Sequence, residues 1–111
     1  MFARVVEYTP ILEKKDEAIK MVREELLPLL KKQPGFLDLL PLFPENTNEK
    51  FITIALWTGK TEAEKFAKEV FPKVAEMLKP FLTTPTAYTV RTYTVETTLC
   101  THFVEALTAA A

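Results

Sequence analysis

The chain is poor in the residues that mark several large classes of site. It has one cysteine, one histidine and two glycines in 111 residues. A lone Cys100 cannot close an intrachain disulfide or build a cysteine-based zinc site. With only Gly35 and Gly59 there is no glycine-rich phosphate loop, so nucleotide and flavin fingerprints are absent. The single histidine, His102, has no evident serine or cysteine partner, and Cys100 and His102 form no ligand spacing with carboxylates. No metal site is expected. No uninterrupted apolar run approaches the roughly 18 residues of a membrane span. The first residues lack a basic stretch followed by an apolar one, so no secretory leader is expected. A net charge of −1 gives no bulk attraction to nucleic acid or anionic membrane. The expectation is a soluble cytoplasmic protein with neither as a partner.

What is present is apolar and aromatic. Hydrophobic residues make up 48% of the chain, including eight Phe, three Tyr and one Trp. That suffices for one core, and the length fits one domain. Phe2 to Tyr8 reads as a strand that stops at Thr9-Pro10. A helix follows from about Glu13 to Lys32, with Ala18, Ile19, Val22, Leu26, Leu29 and Leu30 on one stripe. Pro28 is expected to bend this helix or tighten its last turn. Phe36–Phe43 and Phe51–Trp57 read as strands around a polar hairpin loop. A second helix begins near Thr61, whose spacing to Glu64 suggests a capping box. Ala63, Phe66, Ala67, Val70, Phe71, Val74, Met77 and Leu78 form its stripe, and Pro72 should kink it. Ala87–Glu96 reads as a fourth strand. The predicted domain covers residues 1–98, with a tail over 99–111 that has the spacing of a short helix.

The order β-α-β-β-α-β, with right-handed crossovers, implies a ferredoxin-like α+β fold: a four-stranded antiparallel sheet with both helices on one face. Phe51-Ile-Thr-Ile-Ala-Leu-Trp57 does not alternate apolar and polar residues. A strand of that kind is normally covered on both faces, and a second copy of the same sheet is the simplest cover. A homodimer is therefore expected. If Trp57 faces the helices, then Ile52, Ile54 and Leu56 face the partner.

Leu29-Leu30, then Gln33-Pro34-Gly35-Phe36-Leu37, an apolar strand, an acidic polar loop, a strand ending in Trp57, and Thr61-Glu62-Ala63 opening a helix follow in order. In this the chain resembles the antibiotic biosynthesis monooxygenase domain family from about residue 2 to 96. The resemblance implies a dimeric α/β barrel of two facing sheets. It also implies cofactor-independent oxygenation of a small aromatic, quinol or anthrone-like substrate. Haem-degrading members carry a histidine ligand in the second helix. Val70-Phe-Pro-Lys-Val-Ala-Glu76 holds none, which argues against haem, so no cofactor is expected.

Within that resemblance, Trp57 corresponds to a tryptophan near the substrate pocket, where an indole offers a flat wall and one N–H. Tyr8 stands where members often place asparagine, and its hydroxyl would reach a substrate oxygen. Arg91 would stabilise a phenolate. Phe66, Phe71 and Met77 would line the pocket. Each has a plainer structural alternative: core packing for Trp57 and the helix aromatics, and for Arg91 an ion pair with Glu7 or Glu96. The alternative for the whole protein is a non-catalytic dimeric ligand-binding or scaffold protein. That alternative gains weight if Trp57, Tyr8 and Arg91 lie on different faces.

Overall fold

The structure, a computed structural model, describes residues 1–46, 49–84 and 87–99. The expected tail helix, with Cys100 and His102, lies outside the described residues. Four strands form one antiparallel sheet in the order β2-β3-β1-β4. They are β1 (Phe2–Tyr8), β2 (Phe36–Leu42), β3 (Phe51–Trp57) and β4 (Tyr88–Thr94). The two central strands are the ones richest in buried apolar residues, and the edges are mostly exposed. Pro41 fits in β2 because an edge strand has one side free of ladder hydrogen bonds.

β1 and β3 pair from Phe2 opposite Trp57 to Tyr8 opposite Phe51. Side chains alternate across a strand. One face therefore carries Phe2, Arg4, Val6 and Tyr8 with Phe51, Thr53, Ala55 and Trp57. The helices cover this face, and it forms the core. The opposite face carries Ala3, Val5 and Glu7 with Ile52, Ile54 and Leu56. A bulge between Phe36 and Asp38 shifts the parity of β2. It turns Leu39 and Pro41 toward the helices and Leu40 and Leu42 toward the open face.

The first helical segment is α1 (Lys15–Met21), a π-helical turn (Val22–Leu26) and α2 (Leu27–Lys31) in succession. Pro28 does not tighten the turn. It widens the helix ahead of itself: the Leu27 N–H donates to the Val22 carbonyl, one residue beyond α-helical reach. The proline ring crowds the carbonyl four residues back, and an extra residue in the turn relieves that clash.

The second segment breaks as Pro72 requires, into α3 (Lys60–Glu69) and α4 (Phe71–Leu78). The capping box does not form. Gly59 is the N-cap, no side chain caps it, and Thr61 already lies inside the helix.

Gly35 turns the chain into β2 with φ of +81°, and its carbonyl accepts from the Thr58 N–H at 2.8 Å. A Cβ there would sit 2.5 Å from Glu62 Cγ. Gly35→Ala is thus strained twice, by backbone and by contact. It is expected to lower unfolding free energy by about 2 kcal/mol, read as a fall in urea midpoint without a change in slope.

Candidate functional site

Between the sheet and the helices lies a cavity of about 30 Å³. The sheet contributes Arg4, Val6 and Tyr8 from β1, with Thr53 and Ala55 from β3. Leu26 and Leu30 close it from the first helical segment, and Phe66, Phe71 and Val74 from the second. The position follows from the helix stripes and the parity of β1. The wall is almost wholly apolar, and its one charge is Arg4.

Of the six residues expected at the site, three line this cavity: Tyr8, Phe66 and Phe71. Trp57 lies one ring behind, fully buried, with its indole 4.8 Å from the Phe66 ring at a tilt of 34°. Phe36 meets the indole edge-on at 5.6 Å. Such contacts contribute about 1 kcal/mol each beyond burial. The Trp57 Nε1 is buried without an acceptor, a costly state for an N–H.

The other two lie elsewhere. Met77 borders a separate groove beside Met21 and Phe81, because it falls on the flank of α4 rather than on its inner stripe. Arg91 is opposite Val5 in the ladder, so it shares the open face with Glu7. Its guanidinium is 3.8 Å from the Glu7 carboxylate and well exposed. Lys50 approaches the same carboxylate at 3.9 Å. Arg91 and Tyr8 therefore sit on opposite sides of the sheet and do not converge.

Sequence reading passed over Arg4. It is the one buried charged residue among those described, at 7% exposure. Its Cζ lies 3.9 Å from the Phe71 ring centroid and 5.6 Å from that of Phe66. None of the ion pairs among the described residues includes it. Burial pulls its pKa down to about 10, with Tyr88 acting in the other direction. It is still a cation at neutral pH, held against aromatic faces. The parity of Phe2, Arg4, Val6 and Tyr8 was the available signal, since three members of that set are plainly core residues.

Burial pushes the Tyr8 phenol up to about 12, so at neutral pH it is a donor and not a base. Among the described residues, no group of three His, Cys, Asp or Glu side chains is placed to hold a metal ion. Among the described residues the cavity wall has no histidine, cysteine or methionine, and its one tyrosine, Tyr8, is held neutral by burial, so these residues do not fit a haem iron. No helix of the described residues is long and apolar enough to cross a membrane.

No protein-family model matches the sequence, and no curated protein matches it either. Solved structures do match. SnoaB, a cofactor-independent oxygenase from Streptomyces nogalater, is 18% identical, with a TM-score of 0.61 over 86% of this chain and 92% of that one. The heme-degrader MhuD from Mycobacterium tuberculosis is 15% identical, with a TM-score of 0.66 over 86% and 96%. A dimeric ferredoxin-like protein of unknown function from Jannaschia sp. CCS1 is 15% identical, with a TM-score of 0.65 over 85% and 98%. Other matches are described as antibiotic biosynthesis monooxygenases. The chain thus has the ferredoxin-like fold that the resemblance implied. Proteins of that fold include oxygenases, a heme-degrader and members of unknown function, so the fold does not select among activities.

The raised Tyr8 pKa has a measurable consequence. A phenol whose pKa rises from 10.0 to about 12 on folding favours the neutral form. The stabilisation is complete below the unfolded value and is lost as pH rises through about 12. An alkaline titration followed by tyrosinate absorbance is expected to show a late component near pH 12 that disappears in Tyr8→Phe.

Proposed function

We propose that the chain is a homodimer whose helix–sheet cavity takes a small aromatic, quinol or anthrone-like molecule, acting as a cofactor-independent monooxygenase-like protein. The observation that carries this reading is the cavity itself, apolar and walled by Tyr8, Phe66 and Phe71. Its likeness in fold to a cofactor-independent oxygenase adds support.

Such chemistry needs the substrate as an anion. The anion passes one electron to dioxygen, and the radical pair recombines to form a C–O bond as a peroxide anion, which takes back the proton the substrate released. Loss of water then leaves the oxidised carbonyl. The protein's share is to hold the anion and exclude water. Tyr8 would donate to a substrate oxygen, and Phe66 and Phe71, backed by Trp57, would keep the site dry. Arg91 has no place in this account while it lies on the far face of the sheet.

Two observations favour the non-catalytic alternative. Tyr8 and Arg91 do not converge, and the cavity of about 30 Å³ is nearly filled by side chains. Oxygen uptake decides between the two. Incubation with a panel of hydroquinones and anthrones is expected to show protein-dependent consumption of dioxygen; no uptake above the buffer rate across the panel would leave a binding or scaffold role.

The dimer reading is carried by the open face. Leu40, Leu42 and Tyr93 are 40%, 46% and 51% exposed there, beside Ile52 and Ile54. An apolar sheet face of this kind is a site of association. A similar structure is described as dimeric. Sedimentation at micromolar concentration is expected to give twice the chain mass of 12.7 kDa. Ile54→Asp should weaken association by about 2 kcal/mol or more, because it places a carboxylate in a dry interface; a single-chain mass for the unaltered protein removes the dimer.

A further inference from the structure

Phe66 stands between two spaces. Inside it is the cavity of about 30 Å³, and outside it is a groove of about 360 Å³ floored by Gln33, Pro34, Thr61 and Lys65. Its ring is part of the wall of both. The inner space holds roughly two water molecules. Small-molecule sites need several hundred cubic ångströms. A ligand therefore does not fit beside Phe66, but a flat ring fits in its place.

The surroundings of that ring have a definite chemistry. The Trp57 indole lies against it at 4.8 Å and a 34° tilt. The Arg4 guanidinium is 5.6 Å from its centroid. Trp57 Nε1 is a buried donor with no acceptor, and no ion pair among the described residues includes Arg4. Phe66 offers the guanidinium only a π face. A planar aromatic bearing one negatively charged oxygen would offer the same stacking surface and also an acceptor, with a counter-charge for the buried guanidinium. The mouth carries Glu62 and Glu69 as well as Lys65. It disfavours polyanions, and a single charge matches a single arginine.

We propose that Phe66 is a placeholder ring, and that its outward rotation joins the cavity to the groove and seats a planar aromatic monoanion stacked on Trp57 with its oxygen at Arg4. This inference rests on the aromatic-ligand reading above, and adds to it the charge of the ligand and the residue that receives it. Arg4, on β1, thereby fills the anion-stabilising part that Arg91 cannot reach.

Calorimetric titration with 2-naphthoate and its neutral analogue 2-naphthamide tests the idea on the full chain. Naphthoate is expected to bind about tenfold or more tightly than naphthamide. Arg4→Gln should remove that preference by weakening naphthoate alone, with naphthamide unchanged within about twofold. Phe66→Ala should tighten both probes about fivefold or more, because no ring must first be displaced. Should Phe66→Ala fail to fold, Phe66→Leu opens the same route with less loss of packing and is held to the same expectation. Equal binding of both probes, or an unchanged preference in Arg4→Gln, overturns the assignment to Arg4 while leaving an aromatic pocket standing. Unchanged or weaker binding in the Phe66 variants overturns the placeholder. No binding of either probe to any variant overturns the proposal together with the aromatic-ligand reading beneath it.

Discussion

The pairing of β1 with β3 is the constraint on which the rest of the molecule depends. With Phe2 opposite Trp57 and Tyr8 opposite Phe51, every second residue of both strands turns toward the helices. A slip of one residue in β1 would send Phe2, Val6 and Tyr8 to the open face and bring Glu7 into the core. The aromatic contacts make that slip expensive. Tyr8 meets Phe51 edge-on at 5.9 Å, and Trp57 is wedged between Phe36 and Phe66. The register that builds the core is also the one that delivers Arg4 to the cavity. It leaves Ile52 and Ile54 on the other side, half-covered, in a sheet that has a use for a second layer.

Strand boundaries were legible because the chain punctuates them with residues of strong backbone preference. Thr9-Pro10 stops β1 and Pro34-Gly35 precedes β2, and for β1 and β3 the expected spans, Phe2–Tyr8 and Phe51–Trp57, are the observed ones. The break between α3 and α4 was legible for the same reason, since Pro72 cannot continue a helix unaided. The π-helical turn was not. Pro28 removes the same hydrogen bond as Pro72, yet the first segment widens where the second breaks. The choice depends on what each helix must keep in contact with the sheet, which is tertiary information. The capping pattern at Thr61 and Glu64 failed similarly: the tight passage from Thr58 through Gly59 starts the helix earlier than the motif requires.

The site was legible in its walls and not in its charge. Helical stripes brought Phe66 and Phe71 to the cavity, and strand parity brought Tyr8. Arginine in a sequence reads as a surface residue, so Arg91, set between tyrosines, drew attention while Arg4 did not. Parity reverses that judgement. Arg91 shares its face with Thr89, Tyr93 and, across the ladder, Glu7. Arg4 shares its face with Phe2, Val6 and Tyr8. Two arginines on neighbouring strands are thus assigned different environments by counting residues in twos.

Their energetics differ as sharply. The pair of Arg91 with Glu7 is exposed, screened and weak, in the range of about 0 to 1 kcal/mol. Arg4 is desolvated, and burial has already drawn its pKa down to about 10. The aromatic faces of Phe71 and Phe66 offset part of that cost, but a quadrupole is a poorer partner for a cation than a carboxylate. A domain of this size is stable by only about 5 to 15 kcal/mol. A methionine or leucine at position 4 would pack against the same rings without the penalty. A guanidinium kept there, facing an aromatic-walled cavity, is the feature on which the proposed anionic ligand rests. Water in a cavity of about 30 Å³ would satisfy some of the nitrogens but would not neutralise the charge.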